Sequence, residues 1–162
     1  MNELIKQLLK QSVALELNIG DLYQQFSVKF AGDYDFWWKL SIEEMNHAAL
    51  IESINDVFLT ENLLTLDSIE NQINEINEMN RLIRKHIESF KFETPERSKA
   101  FQVAFEIENS IGEYHFELFM TAQPNSTVMK IMQKLNGDDI NHSKRMLKYM
   151  KENGIPVPSS TE

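Results

Sequence analysis

The stretch Glu43-Glu44-Met45-Asn46-His47 is repeated as Asp138-Asp139-Ile140-Asn141-His142. In each copy an acid precedes a histidine by three residues. On a helix that spacing puts carboxylate and imidazole on one face, about one turn apart. A second pair of stretches matches in the same way. Glu16-Leu17-Asn18-Ile19-Gly20-Asp21-Leu22-Tyr23 aligns with Glu108-Asn109-Ser110-Ile111-Gly112-Glu113-Tyr114-His115. The order is glutamate segment, then acid–histidine segment, and then both again. Two copies of one helical hairpin account for that order.

Working outward, apolar spacing predicts five helices. The first runs from about Glu3 to Phe30 and stops before Ala31-Gly32-Asp33. The second runs from about Asp35 to Phe58, and the third from about Asp67 to Phe90. Thr94-Pro95-Glu96 reads as the start of the fourth, with Thr94 as cap and Pro95 in the first turn. That helix reaches about Thr121, before the break at Gln123-Pro124-Asn125-Ser126. The fifth ends at Asn153-Gly154, a C-terminal stop followed by Pro156. The 162 residues suit one domain over 1–157, with hairpins at 3–58 and 95–153, a crossover helix at 67–90 and a frayed tail at 158–162. Only 5 Gly and 4 Pro fit long uninterrupted helices, whereas sandwiches and barrels need more turns.

Four of the five helices carry an acid in the middle of the apolar arc, counted at about 100° per residue. Glu16 lies among Ile5, Leu9, Ser12, Ile19, Tyr23 and Phe30. Glu44 and His47 lie among Trp37, Leu40, Ala48, Ile51 and Phe58. Phe101, Ala104, Ile111, Gly112, His115 and Phe119 surround Glu108. Met132, Leu135, Met146 and Met150 surround Asp139 and His142. Taken singly, Glu16 and Glu108 read as boundary glutamates, the acid–histidine pairs as chance spacings, and the methionines as core. Together they need one explanation. Buried carboxylates escape their cost by protonation, pairing or a metal, and no Lys or Arg occupies these stripes. A shared cation site is the simplest answer. Glu16 and His47 are almost equally far from the first turn, and Glu108 and Asp139 from the second, so each hairpin sets its acids at one height.

These residues resemble the ferritin-like di-iron carboxylate family, which includes rubrerythrin, erythrin and bacterioferritin. The resemblance covers helices one, two, four and five. It implies an all-α, ferritin-like four-helix bundle made of two pseudo-twofold hairpins, with the third helix as an added crossover. It further implies two metal ions per chain held by Glu16, Glu44, His47, Glu108, Asp139 and His142, with Glu44 and Asp139 bridging or chelating. Asp139 stands where the family has glutamate, one methylene longer. Rubrerythrins proper have an additional glutamate and a cysteine-rich rubredoxin domain. Here Phe105 and Ile111 occupy the places of that acid, and the chain has no cysteine. The third helix, at about 25 residues and roughly 37 Å, is unlike a short ferritin crossover. The six-ligand set is closer to bacterioferritin's, but the long third helix makes a rubrerythrin-like or erythrin-like protein without the electron-transfer domain the better likeness.

Carboxylate and imidazole together suit iron, with manganese or zinc as alternatives. The expected activity is reduction of peroxide or O2 at a two-metal centre, or ferroxidation, fed by an external electron donor. Three rival readings stay open: metal storage or sensing without turnover, a structural helical bundle that keeps a vestigial site, and oxygenation of an organic substrate. Tyr23 and His115, two turns beyond their glutamates, are candidates for positions beside the metals. Tyr23 would hydrogen-bond a carboxylate or take part in redox chemistry, or simply pack in the core. His115 would be a seventh ligand or an acid–base group. Gly20 and Gly112 each cost about 1 kcal/mol in a helix interior, which close helix approach or room for a small ligand would explain. Ile69, Ile73, Ile76, Leu82, Ile83, Ile87 and Phe90 give the third helix its apolar side. Glu70, Glu75 and Glu78 read as solvated, and His86 as a surface histidine.

Net charge is −9 and no basic stripe appears, so nucleic acid is not an expected partner. No apolar run approaches the roughly 18 residues of a membrane span, and the N-terminus reads as a helix and not a signal peptide. The expectation is a cytoplasmic protein. A homodimer would use an exposed face of helix one or three.

Overall fold

The structure is a computed structural model that describes residues 2–53, 66–114 and 127–158, without the side chains of 2, 66–68, 111–114, 127–129, 132 and 139. Its elements are helices: α1 (Asn2–Lys29), α2 (Tyr34–Ser53), α3 (Leu66–Phe92), α4 (Arg97–Tyr114) and α5 (Thr127–Glu152), with a short 3-10 turn at Ala31–Asp33. Among the described residues there is no strand. No described helix is long and apolar enough to cross a membrane.

Helix α1 packs against α2 and also against α3, while α4 packs against α5, and α2 meets α5 to join the two hairpins. Having two neighbours widens the buried arc of α1. Leu8, Leu15, Leu22 and Phe26 are buried beside the expected Ile5, Leu9 and Ile19. Each such side chain removed from water contributes about 1.5–3 kcal/mol. The far side of α1 carries polar ties as well. Asn80 of α3 is fully buried. Its Oδ1 accepts from Asn18 Nδ2 at 2.6 Å, and its Nδ2 donates to the Gln11 carbonyl at 3.0 Å. Gln25 Nε2 donates to the Ile87 carbonyl at 3.3 Å. These bonds fix how α3 lies along α1.

The apolar side of α3 is narrower than its sequence suggests. Ile69, Ile73, Ile76, Ile83 and Phe90 are buried, but Leu82 is 45% exposed. It stands next to Ile83, rotated past the edge of the contact with α1. His86 is half-buried, stacked on Phe90 at 5.5 Å, and so is not simply a surface histidine.

The start of α4 also differs from expectation. The first described helical residue is Arg97, and the Ala100 N–H donates to the Glu96 carbonyl at 3.0 Å. Glu96 therefore occupies the cap position, and Thr94 and Pro95 precede the helix. A tertiary contact sits at this end. Arg97 Nε and Nη2 donate to the two oxygens of buried Asp33 at 2.8 and 2.7 Å. Tyr149 of α5 donates to Asp33 Oδ1 at 2.9 Å. Asp33 thus ties the turn after α1 to the start of α4 and the end of α5. Burial raises its pKa, but the bonds from Arg97 and Tyr149 outweigh that and leave it lowered. The end of α5 is as expected. Gly154 takes φ +64 and the Ile155 N–H reaches the Met150 carbonyl at 2.9 Å, which closes the last turn with a left-handed glycine. Residues 54–58, 115–121 and 159–162, to which helices two and four and the frayed tail were assigned, lie outside the described residues.

Candidate metal centre

Five charged side chains from four helices meet in the interior: Glu16 of α1, Glu44 and His47 of α2, Glu108 of α4 and His142 of α5. Each is 5% exposed or less. Close approach of α1 and α2 brings the first three together. A Cβ on Gly20 would lie 3.3 Å from the Ser41 carbonyl oxygen and 3.6 Å from Glu44 Cβ. Ser41 Oγ donates to the Gly20 carbonyl at 2.8 Å across the same contact. The glycine one turn after Glu16 therefore serves helix approach.

The side chains form two triads, Glu16–Glu44–His47 and Glu44–Glu108–His142, with the candidate ligand atoms in each within 4.8 Å of one another. Glu44 belongs to both. Its Oε2 lies 3.0 Å from His47 Nδ1, and its Oε1 lies 2.7 Å from His142 Nδ1. Glu16 Oε2 closes the first triad at 3.8 Å from His47 Nδ1. Glu108 Oε2 closes the second at 3.7 Å from His142 Nδ1. The two imidazoles are nearly parallel, 12° apart, with centroids 5.4 Å apart.

The outer nitrogens face the opposite hairpin. His142 Nε2 lies 3.2 Å from Glu43, and His47 Nε2 lies 3.6 Å from Asp138. Arg145 Nη1 donates to Glu43 at 2.7 Å. An acid on Nε2–H directs the Nδ1 lone pair of a neutral imidazole into the triad, the usual support for a metal-bound histidine. Tyr23, fully buried, donates from its hydroxyl to Glu108 Oε1 at 2.5 Å. That leaves Oε2 as the Glu108 oxygen facing His142.

Electrostatics make this cluster costly by itself. Burial and the charge of Glu108 push Glu44 up to about 7, against the pull of both histidines. Burial opposes a charged ring at His47, yet Glu16 and Glu44 outweigh it and hold its pKa at about 10. Glu108 and Glu44 do the same for His142, at about 11. Protons therefore stand in for cations. A metal fits the donor set better than they do in one respect. Glu44 Oε1 and His142 Nδ1 are 2.7 Å apart, both buried, in poor geometry for a hydrogen bond. Two donor atoms converging without pointing at each other suit a common ion. Imidazole nitrogen and carboxylate oxygen in mixed sets suit iron, manganese or zinc.

Of the residues singled out by sequence, Glu16, Glu44, His47, Glu108 and His142 come together, and Tyr23 bonds one of them. Asp139 lies on α5, but its side chain is outside the described set, as is the whole of His115. Gly112 lies in α4. Sequence reasoning missed the supporting roles of Glu43, Asp138 and Arg145. The doubled acids of the repeat were the available signal, since Glu43 and Asp138 occupy equivalent places and reach equivalent histidines. No protein-family model, no curated protein and no solved structure matches this chain.

Proposed function

We propose that this chain is a ferritin-like, rubrerythrin-like two-metal protein that reduces peroxide or O2, with iron as the metal and an external electron donor. The observation that carries this reading is Glu44, whose two oxygens belong one to each triad. A carboxylate so placed links two adjacent positions. Glu residues from two helices, with acid–histidine units from the other two, form the donor pattern of ferritin-like two-metal bundles. The repeat in the sequence and the near-parallel histidines support a pseudo-twofold centre.

Two ferrous ions held there would supply the electrons that peroxide takes up as its O–O bond breaks, with two protons, to give two waters. The chain's own part is to hold the donors. Glu16 and Glu108 close the outer sides, and Glu43 and Asp138 orient the histidines. Tyr23 pins one oxygen of Glu108 and keeps the other turned inward. The low exposure of all five side chains limits bulk water at the site.

The test is anaerobic loading with Fe(II), then stopped-flow mixing with peroxide, in the wild type and in Glu44→Ala. We expect rapid ferric absorbance in the wild type, and in Glu44→Ala a rate no greater than that of free Fe(II). Iron that binds but reacts no faster than in solution would favour storage or sensing over turnover.

A further inference from the structure

A continuous chain of aromatic rings leads from the candidate centre to the protein surface. It starts at Tyr23, whose hydroxyl is bonded to Glu108. The Tyr23 ring lies 5.5 Å from Trp37, centroid to centroid. From Trp37 two parallel steps lead on. Phe101 is 4.4 Å from Trp37 and 5.6 Å from Tyr149, and Phe36 is 5.3 Å from Trp37 and 4.1 Å from Tyr149. Tyr23, Trp37 and Phe101 are fully buried, and Tyr149 is half-buried at the surface.

Packing alone explains a cluster of rings in a core. It does not explain why the chain begins on a candidate ligand and ends on a second phenol with its own carboxylate. A phenol that loses an electron also releases its proton. Glu108 stands ready at Tyr23, and Asp33 at Tyr149, 2.9 Å from its hydroxyl. Between them Trp37 has no hydrogen-bond partner for its indole N–H among the described residues. It can pass charge without exchanging a proton. The phenylalanines are too hard to oxidise and serve only to shorten the gap from Trp37 to Tyr149.

We propose that Tyr23, Trp37 and Tyr149 form a one-electron route between the metal centre and a reductant at the surface around Tyr149. This rests on the two-metal reading above. Cleavage of the peroxide O–O bond takes two electrons and two protons. When the centre holds only one electron to give, the second comes from Tyr23. Trp37 refills Tyr23, and Tyr149 refills Trp37. The surface reductant then returns one electron to Tyr149, which regains its proton. The route spares the buried ligands from oxidation and lets a donor that never reaches the interior sustain turnover.

The experiment uses the full chain loaded with Fe(II), with iron per chain measured on every sample. Excess hydrogen peroxide is added, followed by ascorbate as the one-electron reductant. Rapid-freeze electron paramagnetic resonance follows protein radicals in the wild type, Trp37→Phe and Tyr149→Phe. The wild type is expected to show a tyrosyl radical that ascorbate quenches quickly. In Trp37→Phe the radical remains at buried Tyr23 and is quenched more slowly, on the order of tenfold. Tyr149→Phe, a change at the surface end, gives the same slow quenching with iron content unchanged. An iron-loaded wild type that reacts with peroxide and forms no protein radical overturns the route. So does equal quenching in all three proteins. A wild type that holds no iron overturns the two-metal reading itself, and the route falls with it.

Discussion

Glu44 is the residue on which the two triads depend, and it is held in an unfavourable state when no cation is present. It shares the interior with Glu16 and Glu108, and protonated histidines among the described residues offset their charges. The sign of the resulting pH dependence is fixed. His47 and His142 have folded pKa values of about 10 and about 11, above their ordinary 6.5. Their stabilisation is complete below about pH 6.5 and fades as pH rises toward the folded values. Glu44, raised from 4.5 to about 7, acts in the same direction over a lower window. The metal-free protein therefore loses stability as pH rises from about 6 to 8. A metal bound there would displace those protons, so the stabilisation it gave would grow with pH. Thermal melts with EDTA and with excess Mn(II) across that range should show a gap that widens upward. A gap that is constant or narrows would mean the metal does not replace the histidine protons.

The same scale shows what the sequence could disclose. Glu16, Glu44, His47, Glu108 and His142 were legible because a charge inside an apolar arc is a conflict that one chain of residues reveals. Glu43, Asp138 and Arg145 raise no such conflict. On their own helices they lie toward the edge of the buried face, where acids and arginines are ordinary. Their contacts cross from one hairpin to the other, and no spacing within a helix encodes them.

Among the elements, the pairing of α1 with α2 is the most tightly specified. Gly20 lies close against the Ser41 carbonyl there, beside Glu44. Introducing branched methyls there forces the helices apart, since a backbone carbonyl cannot swing aside. Gly20→Val is expected to destabilise the fold by about 1–3 kcal/mol through overpacking, and to lower metal content by separating Glu16 from Glu44. Chemical denaturation and elemental analysis of the purified variant check both effects. Wild-type stability with full metal content would show that α1 has room to spare. The existence and order of the five helices were readable from apolar period, because each has a buried face several turns long. Helix ends were less so. Thr94-Pro95 carries good local signals for a start, yet α4 begins at Arg97, where the side chain is drawn to Asp33. Leu82 shows the same limit at the side of a helix, since the width of a buried face depends on the neighbour.

For the whole molecule, the turn end and the middle of the described structure do different work. At the turn end, Asp33, Arg97 and Tyr149 lock both hairpins together beside an aromatic core. In the middle, four helices bring like charges together with no lysine or arginine among the five clustered side chains. Such a centre adds little stability to a metal-free chain, because the desolvation of buried charges offsets their attraction. Its presence makes sense if a cation completes it. The repeat of hairpins in the sequence led to the expectation of a pseudo-twofold plan, and the histidine rings lie nearly parallel with centroids 5.4 Å apart. The measurement that tests this most directly is metal per chain, by elemental analysis, after anaerobic Fe(II) loading of untagged protein and removal of unbound ions. The comparison is the double variant Glu44→Ala, His142→Ala. The account predicts about two ions per chain in the wild type, as a two-metal carboxylate–histidine bundle requires, and their loss in the variant. Little or no metal in the wild type, or the same amount in both proteins, would contradict it.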